Sequence, residues 1–100
     1  MIQRLWLVTG LLALVACSRD YHPEPQATGE QIFQAACAEC HKPANNGSLF
    51  SLTTEKDNLA YLNQKISQGS WLMPAFKQFS SDDLTKISTY VMEHSDLAEQ

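Results

Sequence analysis

The stretch Cys37-Ala38-Glu39-Cys40-His41 decides the fold of this 100-residue chain. Its two cysteines are three residues apart, a spacing that places two side chains on one face of a helix. The imidazole of His41 follows directly, so two thiols and one nitrogen ligand lie within a little more than one helical turn. Cys-X-X-Cys-His in this order is the attachment pattern of a c-type haem. The stretch therefore predicts one haem c bound covalently through Cys37 and Cys40, with His41 as an iron ligand.

Two other interpretations of the cysteine pair stay open. A thioredoxin-like redox pair requires the motif at the start of a helix within a βαβ unit. Here the pair comes at the end of a predicted helix, and the sequence shows no strand alternation. A structural zinc site requires two further Cys or His ligands at close spacing. The sequence meets neither requirement as well as it meets that of a haem.

Size and charge narrow the class of protein. A folded unit of about 70 residues buries little apolar surface, so a cofactor or a disulfide usually has to stabilise it. The formal net charge is −4, from 7 basic and 11 acidic residues. No block of basic residues alternates with aromatic ones, which argues against nucleic acid as a partner. An acidic surface favours basic or neutral redox proteins as partners.

The first sixteen residues predict a lipoprotein signal peptide. Arg4 precedes an apolar run that is shorter than the roughly 20 residues needed to span a bilayer. The run ends in Leu14-Val15-Ala16-Cys17, which resembles the lipobox of bacterial lipoproteins. We expect residues 1–16 to be removed and Cys17 to be lipidated, which anchors the protein to a membrane by its lipid. An ordinary signal peptide that happens to end near a cysteine is the alternative.

The lipobox also predicts a location. A protein processed in this way lies in the bacterial cell envelope and faces the periplasm. Ser18 follows the cysteine, where an aspartate would resemble an inner-membrane retention signal. The outer membrane is therefore slightly favoured.

The mature chain divides into a tether and one domain. Residues 17–26 contain Pro23 and Pro25 among polar neighbours, which favours extended, solvated backbone. Residues 27–100 form the predicted domain, with three helices. Their start and stop signals are, in chain order, Thr28 with Gln31 and then Pro43, Thr54 with Asp57 and then Gly69, and Ser80 with Asp83. The first helix is expected to end near His41, and the fold class is all-α.

Met73 is the candidate for the second axial ligand of the iron. It lies 32 residues after His41, in a loop framed by Gly69 and Pro74. Pro74 disfavours helical backbone at Met73, so this methionine is not an ordinary core residue of a helix. Met92 and His94, on or near the third helix, are the alternatives. Methionine opposite histidine raises the reduction potential relative to two histidines.

From about Thr28 to Ser95 the chain resembles a class I cytochrome c of the short bacterial monohaem type. The matching features are Gly29 and Phe33 ahead of the attachment motif, Met73-Pro74 after a short middle helix, and Tyr90 on the last helix. The resemblance implies an all-α fold of three main helices wrapped around one covalently bound haem. It also implies that the first and last helices cross closely at Gly29 and that Phe33 packs near Tyr90.

The resemblance suggests further contacts with the haem. Trp71 is similar to an indole that donates a hydrogen bond to a haem propionate in some short members, with packing on the haem as the alternative. Many members also use a backbone carbonyl in a glycine-rich turn to orient the axial imidazole. Here only Pro43 and Gly47 mark the loop after His41, so the carbonyl stays unassigned.

Two axial ligands from the protein leave no open position on the iron, which favours electron transfer over catalysis. We expect a single-electron carrier, or an electron-entry module, in a bacterial periplasmic or membrane redox chain. The alternatives are a haem enzyme or small-gas sensor in which Met73 dissociates, and a haem-free lipoprotein that merely contains the motif. No Ser/His/Asp set or carboxylate pair indicates an enzyme, because Asp82-Asp83 is typical of the first turn of a helix.

Overall fold

The structure is a computed structural model that describes residues 20–98. The predicted signal peptide, Cys17 and the first residues of the tether lie outside this range. The elements are, in chain order, α1 (Gly29–Ala36), β1 (Ser51–Leu52), α2 (Leu59–Gln68), α3 (Ser81–Glu93) and β2 (Asp96–Leu97). The predicted all-α fold of three main helices is confirmed. Within residues 20–98, no helix is both long enough and apolar enough to cross a membrane.

Reciprocal capping boxes start α1 and α3. The Thr28 amide donates to the Gln31 side chain at 2.9 Å, and the Gln31 amide donates back to the Thr28 hydroxyl at 3.2 Å. Ser80 and Asp83 form the same pair of bonds at 2.9 and 3.1 Å. Each box satisfies two amides that have no partner inside the helix. Both predicted start signals are confirmed.

The second helix starts later than predicted. Thr54 and Asp57 fall in a separate turn over residues 53–57, and α2 begins after Asn58. The Asn58 side chain accepts a hydrogen bond from the Tyr61 amide at 3.0 Å. Asparagine is among the strongest N-cap residues, and the cap at Asn58 lies four residues after the predicted cap Thr54.

The attachment motif lies just beyond α1 rather than inside it. The helix ends at Ala36, and Cys37 is its C-terminal cap. Residues 37–41 continue as hydrogen-bonded turns, in which the His41 amide donates to the Cys37 carbonyl at 2.9 Å. His41 is therefore held one turn beyond Cys37, as a continuous helix would have placed it.

The first and last helices cross at a glycine. A Cβ atom at Gly29 would lie 2.5 Å from the Lys86 carbonyl oxygen and 2.7 Å from the Tyr90 Cβ, distances that real Cβ atoms essentially never adopt. Next to this crossing, the ring centroids of Phe33 and Tyr90 are 5.8 Å apart. The structure thus bears out the close crossing and the aromatic contact that the resemblance implied.

A short parallel pairing, which the sequence did not reveal, joins the C-terminal segment to the loop after the motif. Ser51 pairs with Asp96, and Leu52 pairs with Leu97. The Leu49 amide also donates to the His94 carbonyl at 2.9 Å. Strands of two residues carry no side-chain alternation, so a pattern search cannot detect them.

The folded domain begins earlier than residue 27. Pro23 is fully buried, and the rings of Tyr21 and Phe79 meet edge to face with centroids 6.1 Å apart. The Lys86 ammonium donates to the Pro25 carbonyl at 3.3 Å. The prolines do prevent a helix here, but the apolar ring of Pro23 is buried, whereas Pro25 is exposed. Within the described residues, the predicted tether is thus part of the domain from Tyr21 onward.

Candidate functional site

An apolar cavity of about 260 Å³ lies among the three helices and the loop around β1. This volume is close to the lower end of small-molecule sites, about 300 Å³. The cavity is lined by Phe33, Cys37, His41, Phe50, Ser51, Leu52, Lys56, Tyr61, Leu62, Lys65, Ile66, Met73, Ile87 and Val91. A planar apolar cofactor suits such a lining, since most of these side chains are hydrocarbon or aromatic.

The structure brings together the residues that the motif and the loop methionine singled out. Cys37, His41 and Met73 all line the main cavity. A neighbouring pocket of about 20 Å³ touches the same three residues together with Cys40 and Pro74. Two cysteines, one histidine and one methionine therefore border these two neighbouring pockets.

The two cysteines differ in environment. Cys37 is a free, buried thiol, and its burial raises the pKa from 9.0 to about 11. The thiolate is the reactive form of cysteine, so this thiol is a poor redox nucleophile at neutral pH. Cys40, three residues on, is exposed.

The imidazole of His41 is half-buried, and desolvation lowers its pKa. At neutral pH it is therefore neutral, which is the form that coordinates a metal. Its ring meets that of Phe50 edge to face, with centroids 4.9 Å apart. Within residues 20–98 no hydrogen bond reaches the His41 ring.

Met73 lies in a tight loop that folds back on the end of α2. The Ser70 amide donates to the Met73 carbonyl at 3.0 Å, and the Phe76 amide donates to the Ile66 carbonyl at 3.0 Å. Gly69 adopts a φ of 68°, and a Cβ there would lie 2.5 Å from the Met73 carbonyl oxygen. Only glycine accepts both that φ and that contact without strain. The loop is therefore shaped by Gly69, and its methionine reaches the cavity.

The alternative ligands lie elsewhere. Met92 is packed against the hydrophobic core, and neither it nor His94 lines the cavity. His94 is exposed at the end of α3, where its Nδ1 lies 2.9 Å from the Tyr90 carbonyl oxygen. Of the three candidates Met73, Met92 and His94, Met73 is thus the one that lines the cavity with His41.

This chain is similar to known proteins. A family model described as cytochrome c oxidase, cbb3-type, subunit III, matches residues 24–91. Cytochrome c6 of Bumilleriopsis filiformis is 32% identical over 77 residues, which cover 68% of this chain and 90% of that protein. The chain belongs to the class I cytochrome c family. A cytochrome c of this family carries one covalently bound haem c.

Two further similarities cover most of this cytochrome c. Cytochrome c6 of Cyanidioschyzon merolae is 29% identical over 94 residues, which cover 86% of this chain and 90% of that protein. The crystal structure of cytochrome c6C from Synechococcus sp. PCC 7002 superposes with a TM-score of 0.55 at 26% identity. That superposition covers 67% of this chain and 93% of the other. Nearly the whole length of the solved relative thus superposes on this chain.

The cavity walls of this cytochrome c differ from those expected around Trp71. Trp71 is 94% exposed and does not line the cavity, and Leu72 beside it is 85% exposed. Two lysines line it instead, Lys56 after β1 and Lys65 on α2. Single lysines usually indicate solvated surface, so the sequence alone does not predict a place at the cavity for either of them. The position of Lys65 one residue before the buried Ile66 was the available signal that its side chain could border the core.

Proposed function

We propose that this cytochrome c transfers single electrons through a haem attached to Cys37 and Cys40 and coordinated by His41 and Met73. The observation that carries the proposal is the apolar cavity that Cys37, His41 and Met73 line together. The haem, when bound, supplies the one-electron couple. His41 would hold the iron through its neutral imidazole, and Met73 through its thioether sulfur. The aliphatic side chains that line the cavity would keep water away from the haem iron.

Saturated ligation separates an electron carrier from a haem enzyme or gas sensor. If both axial positions are filled by the protein, ferrous protein should not bind carbon monoxide, and a redox titration should follow a single one-electron curve. The measurement is the visible spectrum of the matured protein during that titration, with and without carbon monoxide. A wild-type spectrum that changes promptly with carbon monoxide would contradict electron transfer as the main role and favour dissociation of Met73.

Lys56 and Lys65 are the residues that would face the haem propionates. Their ammonium groups are positively charged at neutral pH, and the other side chains that line the cavity are mostly apolar. A carboxylate at an apolar site is stabilised by a nearby ammonium group, and a cation near the iron favours the reduced state. We therefore expect Lys65→Gln to lower the reduction potential by on the order of 1 kcal/mol, or about 40 mV for one electron.

Lys77→Gln is the matched control, because Lys77 is exposed and does not line the cavity. Both variants lose one positive charge, so a general effect of net charge would lower both potentials equally. Protein-film voltammetry at one pH and ionic strength measures the difference. Equal shifts in the two variants would refute the role of Lys65 at the propionates.

The lipid anchor is the second part of the proposal and rests on Leu14-Val15-Ala16-Cys17. Lipidation at Cys17 would hold the electron carrier on a membrane facing the periplasm, where its partners would be basic or neutral redox proteins. Cys17→Ser should abolish incorporation of labelled fatty acid and leave the leader uncleaved or release the protein into the soluble fraction. Ser18→Ala is the control and should stay lipidated. Unchanged labelling of the Cys17→Ser protein would refute the anchor.

A further inference from the structure

Phe50 is the described residue whose ring packs against His41. The two rings meet edge to face, with centroids 4.9 Å apart and an interplanar angle of 61°. Aromatic rings prefer this arrangement because the positive edge of one faces the negative face of the other. An imidazole without a hydrogen bond rotates about its bond to Cβ unless a neighbour blocks it. Within residues 20–98, the aromatic ring that packs against His41 is that of Phe50.

Backbone hydrogen bonds from the C-terminal segment hold Phe50 in place. The Asp96 amide donates to the Phe50 carbonyl at 2.9 Å, and the Ala98 amide donates to the Leu52 carbonyl at 2.6 Å. The Ser48 hydroxyl also donates to the Phe50 carbonyl, at 3.1 Å, and it accepts from the Asp96 amide at 3.0 Å. The loop that carries Phe50 is thus tied on both sides to residues that follow α3.

We propose that Phe50 is a positioning residue for the axial imidazole of His41, and that the pairing of β1 with β2 holds it there. The aromatic contact does the work that a carbonyl hydrogen bond does elsewhere, which is to fix the plane of the imidazole on the iron. This inference rests on the proposed ligation by His41. It assigns a role to Phe50 and to the C-terminal segment that the ligand set alone does not require.

The plane of an axial imidazole is read from the electron paramagnetic resonance spectrum of ferric haem, because its orientation sets the splitting of the iron d orbitals. We expect Phe50→Leu to shift the largest g value and to broaden it, since the imidazole then samples more than one plane. Phe50→Tyr keeps the ring and should restore the wild-type spectrum. A variant that merely loosened the fold would not be rescued in this way.

Asp96→Pro tests the backbone hydrogen bonds between the C-terminal segment and the loop that carries Phe50, and it leaves the contact between the rings of Phe50 and His41 unchanged. Proline removes the amide that donates to Phe50 and Ser48, and should shift the largest g value in the same direction as Phe50→Leu. Asp96→Ala is the matched control, because it keeps the amide and removes only the carboxylate that accepts from Asn46 at 3.3 Å. Its spectrum should match that of the wild type. If Phe50→Leu fails to fold, Asp96→Pro still decides the outcome.

The wild-type spectrum separates the two levels of the proposal. If the wild-type protein lacks covalent haem or low-spin ligation by His41, the proposed function has failed. If wild type shows both, and Phe50→Leu and Asp96→Pro give the wild-type g values, only the positioning role of Phe50 is overturned. An equal shift in Asp96→Ala and Asp96→Pro would overturn the part assigned to the backbone pairing.

Discussion

Met73→Ala should convert the low-spin haem of this cytochrome c into a form with one open axial position. Met73 brings a thioether sulfur to the cavity that His41 also lines. Without it, the weak red charge-transfer band of methionine-ligated ferric haem should vanish and ferrous protein should bind carbon monoxide. The reduction potential should fall by roughly 0.1 V or more, part of the about 0.8 V range that axial ligands span. Visible spectroscopy and voltammetry of the matured protein measure both effects.

Met92→Ala is the matched control, because it removes the same side chain from a core position that does not line the cavity. It should keep the charge-transfer band, although it loses some stability. Gly69→Ala should weaken the charge-transfer band although Gly69 is not itself a ligand. Its new Cβ would clash with the Met73 carbonyl oxygen and displace the loop that carries Met73. If Met92→Ala loses the band and Met73→Ala keeps it, the ligand is the other sulfur.

Gly29→Ala should cost much more stability than an ordinary glycine-to-alanine substitution in the described domain. The added methyl would lie 2.5 Å from the Lys86 carbonyl oxygen and 2.7 Å from the Tyr90 Cβ, and both belong to a helix that cannot yield locally. We expect a loss of about 2–3 kcal/mol, the upper part of the range for overpacked sites. Thermal unfolding followed by circular dichroism should show a midpoint lower by roughly 10–20 °C.

Gly47→Ala is the control for the loss of a glycine as such. Gly47 has a φ of 84°, but nothing lies within 4 Å of an added Cβ. Its cost should be that of the left-handed backbone alone, about 1 kcal/mol. Equal destabilisation by the two substitutions would show that the close crossing of α1 and α3 does not depend on Gly29.

Sequence reasoning succeeded where a side chain carries the signal. Thr28 and Ser80 each cap a helix through their own hydroxyl, so the residue type and its spacing to the next polar residue reveal the start. The crossing at Gly29 was found through the resemblance, because a glycine next to a helix cap has no meaning without the partner helix. Hydrophobic spacing likewise placed Ile87 in the core, where it is fully buried.

Sequence reasoning failed where the backbone or the tertiary setting decides. The pairing of β1 with β2 depends on amides and carbonyls, which every residue has, so no residue type marks it. A proline among polar neighbours predicts solvated backbone at Pro23, but here the domain covers its ring. Lys65 and Phe50 became visible only when the helices enclosed a common cavity. The expected place of Trp71 followed a spacing that varies within the family, and its indole is exposed here.

The most direct measurement is the mass of the matured protein after extraction with acidic acetone, which removes haem that is not covalently bound. The protein should retain one haem per chain, with thioether bonds at both Cys37 and Cys40, and Cys40→Ser should retain it through the single bond at Cys37. A pyridine haemochrome spectrum distinguishes the two forms, since each thioether replaces one vinyl group. Complete extraction of the haem from the wild-type protein would contradict the assignment of this site.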